Sequence, residues 1–114
     1  QFALGYPNRL KNDFERFDFT KYPSLTFEKP DLSTFRNLAL AYEAMNKGGN
    51  SACVLNAANE ITVQAFLDDK IKFTDIQKCN EMAMEKVSFI KKPSYDDYVN
   101  TDLETRRVTS ELFV

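Results

Sequence analysis

Residues 31–114 carry apolar side chains at three- and four-residue spacing, with only short breaks at Gly48-Gly49, Asp68-Asp69 and Pro93. This spacing is typical of amphipathic helices. Such helices, joined by short turns, must bury their apolar stripes against one another. The sequence therefore predicts an all-α fold, an antiparallel four-helix-type bundle, over residues 31–114.

Capping and stop signals predict where these helices lie. Asp31 or Ser33 is expected to cap the first helix, which Gly48-Gly49 would end. Its predicted buried stripe is Phe35, Leu38, Ala39, Tyr42 and Met45. The second helix opens at Asn50 or Ser51 and is either continuous to Asp68-Asp69 or broken near Asn56. Between these alternatives we favour the break.

Capping-box spacings mark the later helices. One spans Thr74 to Gln77 and predicts a third helix that buries Ile76, Cys79, Ala83 and Val87. Two more follow Pro93, at residues 94–97 and 101–104. They predict a short helix over residues 95–99 and then a separate final helix carrying Leu103, Val108 and Leu112.

Residues 1–30 differ from the rest because they are rich in phenylalanine and are interrupted by Pro7, Pro23 and Pro30. Proline disfavours helix, so we expect an extended, aromatic-rich arm or connector. Its aromatic side chains need a surface, and part of that surface is expected to be the helical domain. In isolation the arm is predicted to be partly disordered or to pair with a neighbouring copy.

Composition excludes several classes of function. The 114 residues include no histidine, only two cysteines and three glycines, and their net charge is −2. Catalytic triads, zinc sites and phosphate-binding glycine loops are therefore not predicted, and neither a nucleic-acid partner nor a membrane partner is expected. Cys53 and Cys79 are expected to be buried free thiols in a cytoplasmic protein.

Asn56, Asn59 and Glu60 form the one polar group that interrupts an apolar helical run. At spacings of three and four residues they share a helix face, which its apolar neighbours would draw toward the interior. One interpretation is a catalytic amide and acid. The favoured alternative is a helix break capped by Asn56 or Asn59, with Glu60 bonded to the backbone of the connector.

Several motifs occur in an order typical of one enzyme family. They are Tyr6-Pro7-Asn8-Arg9, Leu25-Thr26-Phe27 followed by Pro30-Asp31, Leu55-Asn56-Ala57-Ala58-Asn59-Glu60-Ile61-Thr62-Val63, Ala65-Phe66-Leu67 and Ile71-Lys72-Phe73-Thr74-Asp75-Ile76. Together they span most of the chain. The sequence thus resembles the linker and carboxyl-terminal helical domain of the 1-deoxy-D-xylulose 5-phosphate reductoisomerase family.

The resemblance implies a parent enzyme that forms 2-C-methyl-D-erythritol 4-phosphate with NADPH and a divalent cation, Mg or Mn, and that is a homodimer. The family's catalytic and cofactor residues belong to upstream domains, so none is assigned here. The chain starts at Gln1 and is expected to derive from a longer polypeptide, with the catalytic domain as its partner. Asn56, Asn59, Glu60, Tyr6 and Arg9 are the structural or interface candidates. The alternative is a freestanding helical protein-interaction module.

Overall fold

The computed structural model describes residues 1–113, which form five helices and no strand. The helices are α1 (Phe2–Gly5), α2 (Arg36–Lys47), α3 (Ser51–Leu67), α4 (Phe73–Lys86) and α5 (Tyr95–Ser110). The predicted all-α class is confirmed. The antiparallel order of the four long helices stays a prediction, which their short connections favour.

Helix α3 is the centre of the fold and contacts α2, α4 and α5. Its buried positions are mostly small, and Ala57 and Ala58 are fully buried. Small side chains let neighbouring helices approach closely from more than one direction. Residues 55–60 therefore lie on the helix that contacts the three other long helices.

Helix α3 is continuous, so the predicted break near Asn56 is wrong. Residues such as asparagine interrupt helices when their side chains compete for backbone groups. Here the Asn56 amide instead donates to the Glu60 carboxylate, at 3.1 Å and one turn further along. The helix ends at a left-handed Asp69 (φ 58°), and Asp69 and Lys70 donate back to Phe66 and Ala65, as in a Schellman motif.

Helix α5 is also continuous, so the predicted division into two helices is wrong. Ser94 and Asp97 do form the predicted capping box at its start. Thr101 does not cap a second helix, because it is buried and its hydroxyl accepts from Asn50 at 3.1 Å. Helix α4 begins at Phe73 with Lys72 as its N-cap, two residues earlier than the predicted cap at Thr74. The capping carboxylate is Asp75, which accepts from the Lys72 amide.

The buried faces of α2 and α5 differ from the predicted stripes. On α2 the buried residues are Ala39, Leu40 and Ala44, whereas Tyr42 is 48% exposed and Met45 is 67% exposed. On α5 the inner face consists of Val108 and the threonines at positions 101, 105 and 109, whereas Leu103 is 61% exposed. Apart from Leu40, the buried side chains of these two helices are small or medium-sized, because a densely packed centre leaves little room for aromatic ones.

Asp31 does not cap α2, contrary to expectation. Its carboxylate accepts from the amides and hydroxyls of Ser33 and Thr34, so it organises a turn before the helix. The hydroxyls of Ser33 and Thr34 hold the pKa of Asp31 well below its usual value. Helix α2 then begins at Arg36, after a Phe35 that provides no side-chain cap.

The arm extends away from the helices. The radius of gyration is 19.2 Å, whereas a compact chain of this length would have about 13 Å. The side-chain hydrogen bonds that residues 1–30 make stay within those residues. Phe14 and Phe27 are 80% and 88% exposed, so the expected packing of these rings on the helical domain is wrong for this conformation. Disorder of the arm and pairing with a neighbouring copy stay predictions.

Gly48 and Gly49 provide a matched pair of substitutions, since both have positive φ angles, 67° and 57°. A Cβ on Gly48 would meet nothing within 4 Å, whereas a Cβ on Gly49 would collide with the Ile90 carbonyl oxygen and approach the Phe89 ring to 2.7 Å. Gly48→Ala is expected to lower the free energy of unfolding by about 1 kcal/mol from backbone strain. Gly49→Ala should cost about 2 kcal/mol more, because the Ile90 backbone must shift. Urea denaturation measures both, and equal losses would contradict the packing described here.

The other expectations from composition agree with the structure or stay open. Cys79 is buried, Cys53 is partly buried, and neither forms a disulfide. Burial raises the pKa of both thiols, which disfavours thiolate chemistry. Among the residues described, no helix is both long enough and apolar enough to cross a membrane.

Candidate functional site: the groove between α2 and α3

A groove of about 520 Å³ runs between α2 and α3. Small or apolar side chains and amides line it together. The lining residues are Asn37, Ala41, Ala44, Met45, Ala52, Leu55, Asn56, Asn59 and Asn80. None of them is charged.

Asn80 is fully buried and fixes the amides on the rim. Its Nδ2 donates to Oδ1 of Asn37 at 3.1 Å and to Oδ1 of Asn59 at 3.2 Å. Its own Oδ1 accepts from the buried Thr62 hydroxyl at 2.9 Å. The network joins α2, α3 and α4, and it fixes the side-chain oxygens of Asn37 and Asn59 against Asn80.

A second network joins α3 to α5 beside the groove. Glu60 Oε2 accepts from Arg106 Nη2 at 2.6 Å, and Glu60 Oε1 accepts from Asn56. Asp102 also accepts from Arg106, at 2.7 Å from Nε and 3.1 Å from Nη2. The hydrogen bonds from Arg106 and Asn56, with the Arg106 charge, lower the pKa of Glu60. The ionised form of the Glu60 carboxylate is therefore favoured by Arg106, which also pairs with Asp102.

This ion pair predicts a pH-dependent contribution to stability. Because the pKa of Glu60 is lower in the folded state, its contribution is complete above the unfolded value of about 4.3 and is lost as the pH falls through the folded value. Arg106→Gln is therefore expected to lower the thermal midpoint at neutral pH but to have a smaller effect near pH 3. Arg16→Gln in the arm is the control, because Arg16 forms no ion pair among the described residues and its loss should leave the thermal midpoint unchanged at both pH values. A deficit of Arg106→Gln that stayed constant down to pH 3 would contradict this role for the pair.

The structure brings Asn56, Asn59 and Glu60 together on α3, but on an exposed face. The expectation that this face turns inward is wrong, because the buried positions of α3 are taken by smaller residues such as Ala57, Ala58 and Ala65. Glu60 bonds to Arg106 and Asn56 rather than to the connector backbone. No nucleophile or general base lines the groove beside them.

Tyr6 and Arg9 lie in the arm, and the structure does not bring them to the groove. The Tyr6 side chain is 75% exposed, with its ring 5.9 Å from the ring of Phe2. The Arg9 guanidinium lies over the same Phe2 ring at 5.2 Å. Their assignment as interface residues stays a prediction.

Helix α2 presents an exposed apolar face next to the groove. Phe35, Leu38, Tyr42 and Met45 are between 36% and 67% exposed and recur at helical spacing. Phe35 and Leu38 also line a second, mainly apolar cavity of about 420 Å³ at the start of α4, together with Phe73. An apolar face of this kind is typical of a surface that another part of a protein covers.

Acidic clusters provide no metal site among residues 1–113, in which no group of three potential ligand side chains comes together. Glu81, which the sequence places one turn before Glu85, forms an ion pair with Arg36. Glu43 accepts from the same arginine at 2.6 Å. This part of the surface is a charged face of the bundle.

Three residues of the site, Asn37, Asn80 and Arg106, were not predicted. Asn80 could have been noticed in the sequence, because it follows Cys79 on the buried face of α4. An amide buried there requires hydrogen-bond partners. Asn37 gave no such signal, since its partner is 43 positions away in the sequence. Arg106 lies one turn after its partner Asp102, but its contact with Glu60 spans 46 positions. Only the packing of the helices shows these contacts.

Comparison with known proteins agrees with this architecture. Residues 1–108 match the family model described as the DXP reductoisomerase C-terminal domain. The 1-deoxy-D-xylulose 5-phosphate reductoisomerase of Phocaeicola vulgatus is 54% identical over 112 residues, which are 98% of this chain and 29% of that protein. The enzyme of the same name from Acetivibrio thermocellus is 46% identical over 112 residues, with the same two coverages.

A solved structure is similar over the same range. The 1-deoxy-D-xylulose 5-phosphate reductoisomerase from Zymomonas mobilis, in complex with NADPH, matches with a TM-score of 0.77 and 40% identity. The match covers 98% of this chain and 30% of that one. The chain thus spans less than a third of the relatives it matches. It belongs to the DXP reductoisomerase C-terminal domain family.

Proposed function

We propose that this chain is the non-catalytic support domain of an NADPH-dependent 1-deoxy-D-xylulose 5-phosphate reductoisomerase. The whole polypeptide would act in the cytoplasm as a homodimer and form 2-C-methyl-D-erythritol 4-phosphate. The observation that carries the proposal is the 54% identity to a named reductoisomerase over nearly the whole chain.

NADPH and a divalent cation, Mg or Mn, are proposed to bind elsewhere in the polypeptide. The residues that line the groove do not fit either group. The groove lining contains no cation that could face a pyrophosphate, and no carboxylate, imidazole or thiolate that could hold a metal ion. What the groove offers is neutral amides above an apolar floor, which suits contact with protein.

The support role is inferred from the surface that α2 exposes. Phe35, Leu38, Tyr42 and Met45 leave an apolar face in water, next to amides that the Asn80 network holds in place. Covering this face with the catalytic domain would remove apolar area from water and fix the orientation of that domain. Asn56, Asn59 and Glu60 lie at the edge of the same surface and are proposed as interface residues.

The test is a steady-state assay of NADPH oxidation that depends on 1-deoxy-D-xylulose 5-phosphate. The natural full-length polypeptide is expected to turn over the substrate, and the 114-residue chain alone is expected to show no turnover. An inactive but folded full-length polypeptide would overturn the assignment. Turnover by the chain alone would overturn the non-catalytic role.

A further inference from the structure

Helix α2 buries fewer residues than the other three long helices. Its buried side chains are Ala39, Leu40 and Ala44, of which only Leu40 is large. The α2–α3 groove extends along α2 from Asn37 to Met45, so α2 is incompletely packed against α3 there. Elements that bury little apolar surface are the first to open in a folded protein. Helix α2 is therefore the long helix that separates most easily from the others.

Polar contacts to α4 hold the start of α2. Arg36 Nε donates to Glu81 at 3.0 Å, and both side chains are partly exposed, so this ion pair contributes little to stability. Asn37 accepts from Nδ2 of Asn80 at 3.1 Å, but Asn80 would keep its bond to Asn59 if Asn37 moved away. No side chain among residues 1–113 caps this end of the helix. The start of α2 is thus held by contacts that water can replace.

The other end of α2 has the geometry of a pivot at Gly48. This glycine has a φ of 67°, and open space lies where a Cβ would be. The next residue is fixed, because Gly49 lies against the Ile90 carbonyl and accepts from the Tyr98 hydroxyl at 3.3 Å. Glycine has the widest choice of backbone angles. Rotation about the backbone of Gly48 would therefore move α2 and leave the start of α3 in place.

Helices α3, α4 and α5 form a core that stays packed without α2. Each of these three helices contacts the other two, whereas α2 contacts only α3 and α4 among the described elements. The buried Asn50 side chain also ties the start of α3 to the α4–α5 connection and to α5. None of these contacts involves α2, so its movement would leave them intact.

We propose that α2 is a hinged element that swings away from α3 and α4 about Gly48 while the α3–α5 core stays packed. Opening widens the α2–α3 groove and uncovers Leu40 and Ala44. It also changes the direction in which the arm leaves the core, because the arm precedes α2 in the chain. The hinge rests on contacts among residues 1–113 and does not depend on the reductoisomerase assignment.

Thiol labelling of the natural full-length polypeptide tests the hinge. Ala44→Cys introduces a thiol at a position of α2 that is 2% exposed, and the native Cys79 of α4, which is 5% exposed, is the internal control. Cys79 lies about 100° around α4 from Asn80, which contacts α2, so it should stay covered when α2 opens.

Peptide mass spectrometry follows both thiols, and each rate is divided by the rate of the same thiol in the urea-unfolded protein. The introduced thiol is expected to react at least about tenfold faster than Cys79 under native conditions, because local opening exposes it alone. Equal rates would mean that both thiols are exposed only by unfolding of the whole bundle, and they would overturn the hinge. Faster reaction of Cys79 would overturn it as well.

Two arginine substitutions, each added to Ala44→Cys, test what holds α2 closed. Arg36→Gln removes the ion pair to Glu81 on α4 and is expected to raise the labelling rate of the introduced thiol about threefold. Arg107→Gln removes pairs to Glu104 and Glu111 that lie on α5 itself, so it should leave that rate unchanged. Equal rates in the two variants would overturn the hinge as described. Reductoisomerase activity is measured separately, so failure of the hinge and failure of the proposed function are distinguishable.

Discussion

Asn50→Ala is expected to lower the free energy of unfolding of this chain by about 3 kcal/mol, because it removes three side-chain hydrogen bonds from a buried position. Nδ2 of Asn50 donates to the Ser88 carbonyl at 2.9 Å and to the Thr101 hydroxyl at 3.1 Å. Its Oδ1 accepts from the Ile90 amide at 2.9 Å. The side chain thereby ties the start of α3 to the α4–α5 connection and to α5.

Urea denaturation followed by circular dichroism measures this loss. Asn46→Ala is the control, because Asn46 is an exposed asparagine on α2, and it should change stability by less than about 0.5 kcal/mol. The amide of Ile90 should also exchange faster in Asn50→Ala, since its acceptor is gone. If the two alanine variants were equally stable, Asn50 would not tie these elements together.

Asn80→Ala is expected to destabilise the chain by a similar amount, about 3 kcal/mol, for a partly different reason. The substitution removes bonds to Asn37, Asn59 and Thr62, and it leaves a void in a fully buried position between α2, α3 and α4. The amides of Asn37 and Asn59 would also lose the partner that orients them on the groove rim.

Thermal and urea denaturation measure the stability change, again with Asn46→Ala as the control. The orientation effect has its own readout, because the side-chain NH₂ resonances of Asn37 and Asn59 should shift and broaden in the NMR spectrum of Asn80→Ala. A stable variant whose Asn59 resonances matched those of the unmodified chain would show that Asn80 does not order the rim.

The helical class and several helix ends could be predicted because they depend on local signals, although α4 ends at Lys86 rather than at the expected Pro93. The two glycines after α2, the aspartates after α3 and the Ser94–Asp97 capping box all act within a few residues of the boundary that they set. Side-chain hydrogen bonds overrode two other local signals. Asn56 found a partner in Glu60, and Thr101 found one in Asn50, so neither interrupted its helix.

The buried faces were harder to predict than the helices themselves. Helix α2 has apolar residues around most of its circumference, and hydrophobicity alone selects the larger ones, such as Tyr42 and Met45. Packing against the small residues of α3 selects Ala39, Leu40 and Ala44 instead. The exposed apolar face of α2 thus consists of the apolar residues that do not pack against the other helices.

The candidate site was predicted in part. Asn56, Asn59 and Glu60 stood out because polar residues interrupted an apolar run, and the structure places all three beside the groove. Their partners could not be inferred, since Asn80 and Arg106 come close only when α4 and α5 pack on α3. Tyr6 and Arg9 were selected from the family motif alone, and the structure leaves them in the arm.

The measurement that tests the support role most directly compares two charge substitutions in the full-length polypeptide. Tyr42→Asp places a charge on the exposed face of α2, and Leu103→Asp places the same charge on an exposed apolar position of α5. Misplacing a catalytic domain by about 1 Å can cost about a hundredfold in rate. We therefore predict that Tyr42→Asp lowers kcat/KM for 1-deoxy-D-xylulose 5-phosphate about tenfold or more, while Leu103→Asp stays close to the unmodified enzyme. Unchanged kinetics for a folded Tyr42→Asp enzyme would contradict the assignment of this face as the surface that supports catalysis.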